Sequence, residues 1–439
     1  MRIKFLLFSA STTLLLWAAA CARNPVTGER QLALISTAQE IEMGRQSHPE
    51  ILAEYGRVQN QELQNYFNGV GQKIAKISHR PDLPWTFTVV DSPVVNAFAV
   101  PGGFIYLTRG ILAYMNNEAE MAGVLGHEIG HVTARHSVTQ MSQQQLLGLG
   151  MGLGSVFSET FSKFGGLAET GAGILLLKYS RDHERQSDRI GLRYMAQAGY
   201  DPAQMSRFFE VFQGLREEKD APLPNWLSSH PAPPERIQNT ASEAREIRNE
   251  TPGKTFNVRT DAFLSHIENL VYGKNPREGF ADKNRFYHPD LRFRMEFPDG
   301  WTVQNAKSFV AFLQPEGKAA IELRIVPPDK ASTPEGAGVA IAQQSGITQY
   351  SGSGLSIHGN RSYLGRYRLQ SDSGTIDILA GFIDYGGNLY QIAGMAPVST
   401  YPTYADPLES VIRSFRKLDD QRVLSVQPDR LRIYRTRGN

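Results

Sequence analysis

Hydrophobic and polar positions give this chain two textures, changing near residue 278. Before that point apolar residues recur mostly at three- and four-residue spacing. In "QELQNYFNGVGQKIAKI", Leu63, Tyr66, Phe67, Val70 and Ile74 line one side of a predicted helix. Thr37 and Glu40 fit a T-x-x-E capping box that opens an earlier helix. Asn117 and Glu120 fit a second N-cap pair, opening a helix through "VLGHEIGHVTARH". Further helices are expected through "SRDHERQSDRIGLRYMAQAGY", on to about residue 216, and near 260–271. "WTFTVVD" and "VNAFAVPGGFIYLT" are strand-like, with Pro101-Gly102-Gly103 as the turn inside the second. Pro222, Pro224, Pro231, Pro233 and Pro234 predict a stiff, extended loop over 220–234.

Beyond residue 278 apolar and polar residues alternate between Gly, Pro, Asn and Asp turns, which predicts antiparallel strands. Two helices interrupt them, at about 333–345 and 402–416. The expected fold class is α+β. A mostly helical domain with a small edge sheet, residues 22–278, precedes a small antiparallel α+β domain, residues 279–439. No 34-residue helical period is present, so a tetratricopeptide array is not expected.

Two stretches fit neither texture. The chain opens "MRIKFLLFSASTTLLLWAAAC": a charged n-region at Arg2 and Lys4, an uncharged run, then small residues. This is the pattern of a secretory signal, shorter than a spanning helix needs. Ala18 and Ala20 make an A-x-A site. Small residues directly before a cysteine also resemble a bacterial lipobox, although Ala18 stands where leucine is usual. Cys21 is the single cysteine, and an exported lone thiol would sit in an oxidising compartment without a partner. Lipidation at Cys21 is therefore expected, giving a periplasmic lipoprotein; Ala22 in place of Asp points to the outer membrane. Simple cleavage and a soluble periplasmic protein is the alternative. The second stretch, residues 146–177, is apolar and glycine-rich. It fits a loosely packed helical hairpin, or a lid or membrane-facing plug over a site.

Composition narrows the function classes. The chain has 439 residues, enough for two domains, with 41% hydrophobic and 21% charged residues, which is ordinary for globular proteins. A net charge of +2 leaves no strongly basic surface of the kind nucleic-acid binding needs. The clustered positive charge is C-terminal, at Arg422, Arg430, Arg432, Arg435 and Arg437, and is expected to be a solvated tail.

Candidate chemistry lies in "VLGHEIGHVTARH". His127, Glu128 and His131 spell H-E-x-x-H. On a helix, residues i and i+4 share a face, so both imidazoles can reach one ion while Glu128 points beside it as a general base. The motif alone does not separate such a site from a charged helix face; a third ligand does, because catalytic zinc takes three protein ligands plus water. A longer H-E-x-x-H-x-x-G-x-x-H form fails, since Ala134 and Ser137 stand at its Gly and His positions. "SRDHERQSD" instead supplies Glu184 and, four residues on, Asp188. Glu184 can bind the metal while Asp188 reaches a ligand histidine. His136 is expected off the ligand face, at the surface, and His183 is not expected to be a ligand.

Together, "GHEIGHVTARH", "YSRDHERQSDRIGLRYM", "NAFAVPGGFIYLTRGIL" and "SSHPAPPERI" resemble the CAAX-prenyl-endopeptidase type of zinc metallopeptidases, and more closely its exported bacterial branch. The resemblance covers about residues 35–275. It implies one zinc ion per chain on His127, His131 and Glu184, with Glu128 as base and Asp188 supporting a ligand. It implies that Asn96 and Ala97 lie on an edge strand that aligns substrate, and that His230 sits near the metal, stabilising the oxyanion or binding zinc and holding the enzyme off. Arg236 would support either role. The implied activity is endopeptidase cleavage of misfolded or misassembled envelope proteins. The alternative is a chaperone-like or adaptor lipoprotein with little proteolysis. Residues 279–439 depart from the branch, in which a tetratricopeptide domain can follow the peptidase, so partner choice does not transfer. The sequence sets no oligomeric state.

Overall fold

The computed structural model describes residues 21–150, 179–217, 226, 230, 234–371 and 374–434. The signal segment before Cys21, most of the glycine-rich segment 146–177, most of the proline-rich segment 220–234, and Arg435 and Arg437 lie outside the described residues. The chain divides into two units. The first runs to Gly273 and takes back the chain from Arg430; the second spans Lys274–Asp429.

The first unit begins with a hairpin, β1 (Cys21–Arg23) paired antiparallel with β2 (Arg30–Leu32). Asn24 holds its turn by accepting from the amides of Val26 and Thr27, and donates to the carbonyl of Ala134. Helices α1 (Thr37–Tyr55) and α2 (Gln61–Ala75) follow. The cap of α1 is one residue earlier than expected, a capping box between Ser36 and Gln39. Glu40 is buried instead, bonded to Arg80 and Arg135. Leu63, Phe67, Val70 and Ile74 bury one face of α2 in the core.

Three strands make a small sheet in the order β3 (Thr86–Val90), β5 (Phe104–Thr108), β4 (Ala97–Val100). β3 runs parallel and β4 antiparallel to β5, so β4 is an edge. After a short turn, α3 (Arg109–Leu112), comes α4 (Glu118–Thr133), in which every residue is buried. A helix buried all round belongs at the centre of a unit. Its N-cap is Asn117, accepting from the Glu120 amide as the sequence predicts. Helix α5 (His136–Gly150) turns away at Arg135, whose φ is 60°. Helices α6 (Arg181–Gln197), α7 (Ala203–Glu217), α8 (Pro234–Glu250) and α9 (Thr260–Ile267) complete the unit.

Glycines set the distance between α4 and α6. A Cβ on Gly191 would stand 2.7 Å from the His127 nitrogen, and one on Gly126 would stand 2.8 Å from the Gly191 carbonyl oxygen. The two backbones therefore touch where His127 leaves α4.

The C-terminal arginines are less free than a solvated tail. Arg430 donates to the Asn269 carbonyl and Arg432 to the Asn269 side chain.

The second unit is β-rich. Seven antiparallel strands stand in the order β12 (Ile347–Ile357), β13 (Asn360–Ser371), β14 (Gly374–Tyr385), β15 (Asn388–Pro397), β11 (Ala320–Ile325), β10 (Val310–Leu313), β9 (Thr302–Asn305). Alternate residues of β14 feed two cores: Ile378, Ala380 and Phe382 pack with α10 (Pro334–Ala342), and Leu379 and Ile383 with α11 (Tyr401–Ser414). Side chains alternate across a strand, so a central strand covered on both faces loses polar positions. A smaller sheet runs β16 (Arg416–Lys417), β8 (Phe293–Glu296), β7 (Arg285–His288), β6 (Phe280–Asp282). No described helix is long and apolar enough to cross a membrane.

Candidate active site

Helix α4 carries His127 and His131 one turn apart, and α6 brings Glu184 against them. With His230 they form a buried group whose four ligand atoms lie within 4.8 Å of one another. His127 Nε2 is 3.0 Å from His131 Nε2 and 3.2 Å from His230 Nδ1. Glu184 Oε1 is 2.9 Å from His230 Nδ1 and 3.3 Å from His131 Nε2. Three nitrogens and a carboxylate converge on one point, a donor set that fits a divalent metal ion. A second observation agrees. Glu128 is buried beside the group, and its Oε1 has no hydrogen-bond partner among the described residues; His230 Nε2 lies 3.7 Å from it. A buried carboxylate oxygen left unmatched is costly unless something binds there.

Asp188, one turn beyond Glu184 on α6, meets His127 Nδ1 at 2.8 Å. Arg236, from α8, reaches both acids. Its Nε and NH2 donate to Asp188 at 2.5 and 2.7 Å, and NH1 lies 2.8 Å from Glu184 Oε2. Its guanidinium lies 4.7 Å from the Phe209 ring and 5.6 Å from the Trp226 ring. A planar fork suits this bidentate, stacked position.

The electrostatics follow from burial and these contacts. Burial pushes the Glu184 carboxyl up, but His230 and Arg236 overcome it and hold it well below the usual range. Burial pushes His131 well down. Burial also opposes charge on His230, yet Glu184 and Glu128 raise it above the ordinary value. These directions describe the protein groups before any cation joins them.

His136 corrects the surface expectation. It is 2% exposed, its Nδ1 is 3.0 Å from His131 Nδ1, and its Nε2 is 2.7 Å from Gln186 Oε1. On an unbroken helix, five residues past His131 would be off the ligand face. The left-handed Arg135 ends α4 and folds His136 back. Burial, with His183 beside it, lowers its pKa to about 3. Tyr179, for which the sequence predicts no role, lies with its ring 4.0 Å from His131 and its hydroxyl bonded to Ser137. His183 stacks on His136 and is not among the four grouped residues.

Asn96 and Ala97 stand at the start of the edge strand β4, against which α4 packs. The Asn96 Oδ1 is buried with no hydrogen-bond partner among the described residues. The Val95 carbonyl just before them accepts from the Trp226 amide, and the Trp226 ring stacks on His230. The start of β4 is thus one residue's contacts away from the four-residue group.

Residues 60–244 match Peptidase family M48. The matched stretch contains His127, Glu128, His131, Glu184 and His230, so the site lies within the region similar to that family. The beta-barrel assembly-enhancing protease of Yersinia pestis is 30% identical over 233 residues, 51% of this chain and 48% of that protein. The Escherichia coli K12 protein of the same name is 29% identical over 51% of this chain and 47% of its own length. The mitochondrial metalloendopeptidase OMA1 of Arabidopsis thaliana is 33% identical over 47% of this chain and 38% of its own. The M48 match and these relatives' names agree with the site described above. The chain spans about half the length of the first two of these curated relatives.

Proposed function

We propose that this protein is a zinc endopeptidase of the bacterial cell envelope, of the CAAX-prenyl-endopeptidase type, acting on misfolded or misassembled envelope proteins. The convergence of His127, His131 and Glu184 beside an unmatched Glu128 carries the reading. One zinc on those three residues would polarise a scissile carbonyl and acidify a water toward neutral pH. Glu128 takes the water's proton and delivers it to the leaving amine. Asp188 holds the His127 ring. Asn96 and Ala97 stand at the start of an edge strand, and the reading is that an extended substrate adds along that strand by main-chain bonds. A lipidated Cys21 would hold the unit at the outer membrane, where such substrates assemble.

The resting state is latent in this reading. Catalytic zinc sites keep a position open, and four protein donors close it. His230 is the fourth donor, so it would have to withdraw before turnover, and until then it would hold the enzyme off. This closure also favours a second reading, in which the protein binds envelope proteins and rarely cuts. Chelation and reconstitution test the first. Cleavage of an unfolded protein should stop on metal removal and return with one equivalent of zinc; cleavage that persists without metal would refute it.

A further inference from the structure

We propose that His136 and Gln186 form a directed proton-donor chain that fixes which nitrogen His131 offers to the metal, making both positioning residues. The inference rests on the metal reading above.

The direction follows from geometry. His131 faces the other ligand atoms through Nε2. An imidazole that gives its Nε2 lone pair to a metal, and stays neutral, carries its proton on Nδ1. That Nδ1 is 3.0 Å from His136 Nδ1, so the second nitrogen must accept. His136 then carries its own proton on Nε2, which lies 2.7 Å from Gln186 Oε1. The amide must present its oxygen there, because its nitrogen could not accept. Ser187 Oγ, 3.2 Å from His136 Nδ1, is the other polar atom at that nitrogen. His183 stacks on the His136 ring at 4.2 Å and 13° and restrains its plane.

Two features make this a device for the site and not ordinary packing. Gln186 lies two residues after Glu184 on α6, so one helix supplies a ligand and the far end of the chain. The two histidine ligands are also held differently: His127 by the Asp188 carboxylate, His131 by a neutral ring. The opposite tautomer at His136 would point an N–H at His131 and force its proton onto Nε2, where the metal binds.

Nitrogen NMR of the ¹⁵N-labelled, zinc-loaded chain reads the tautomers directly. The chain requires His136 to be protonated at Nε2 and bare at Nδ1; protonation at Nδ1 overturns it. Two substitutions at Gln186 give an independent readout by chelator competition for zinc. Gln186→Glu keeps an acceptor and should bind zinc as tightly as wild type or more so. Gln186→Lys offers only donors and should weaken binding by about tenfold or more. Equal affinities for the two variants would also overturn the chain. Failure of wild type to take up zinc would overturn the metal site itself, and this proposal with it.

Discussion

Arg236 grips Asp188 with two nitrogens, Nε at 2.5 Å and NH2 at 2.7 Å, while Asp188 holds His127 at 2.8 Å. The same guanidinium lies 2.8 Å from Glu184. One buried cation therefore sets the position of two acids, 48 residues back in the chain for Asp188. Breaking a buried ion pair from one side is costly because the other charge is left unmatched.

Arg236→Lys should lower zinc affinity by roughly 10- to 100-fold, since a point charge cannot span both carboxylates. Isothermal titration or chelator competition reads this. Wild-type affinity in the lysine variant would show that only the charge matters.

His230→Ala should retain zinc on three ligands and cleave an unfolded protein faster than wild type. The measurement is initial cleavage rate at matched zinc occupancy. A slower variant would mean that His230 assists turnover and does not restrain it.

Gly191→Ala should destabilise the first unit, by roughly 1–3 kcal/mol on the scale of core overpacking. Its Cβ would meet the backbone of Gly126 and His127, which cannot rotate away. Gly214→Ala, on α7 with open space around it, is the control and should gain about 0.5–1 kcal/mol. Thermal melts of the two variants should shift in opposite directions; a shared direction would contradict the packing.

His288 gives the second unit an acid sensitivity. Burial, reinforced by Lys307 and opposed by Asp290, lowers its pKa from 6.5 to about 4. Between those values the unfolded chain binds a proton that the folded chain does not. Stability therefore falls as pH falls through this window, by up to ~1.4 kcal/mol per pH unit for one proton. Hydrogen exchange in β7 and β8 of wild type and His288→Gln should show a shallower pH dependence in the variant. Identical slopes would contradict the assignment.

The sequence made much of this visible because local rules governed it. The Asn117 cap, the i, i+4 spacing of His127 and His131, and the alternation in β8 each follow from one element. What escaped depends on chain reversals and on partners far along the chain. His136 is brought inward by the left-handed Arg135, which no periodicity signals. Arg236 stands within the "SSHPAPPERI" motif, but its clamp needs α8 to pack against α6. The α1 cap sits at Ser36 because Glu40 is spent on Arg80 and Arg135, which lie 40 and 95 residues away. Tyr179 carries no spacing rule that ties it to His131.

The central claim is that Glu128 is the base of a metal-dependent peptidase. Glu128→Gln keeps the shape of the side chain, removes its charge, and leaves all four ligand residues in place. Zinc content and fragment release from an unfolded protein, measured together for wild type and variant, test it most directly. One zinc in each, with cleavage by wild type only, is the expected result. Zinc-loaded Glu128→Gln that cleaves at the wild-type rate would contradict the account.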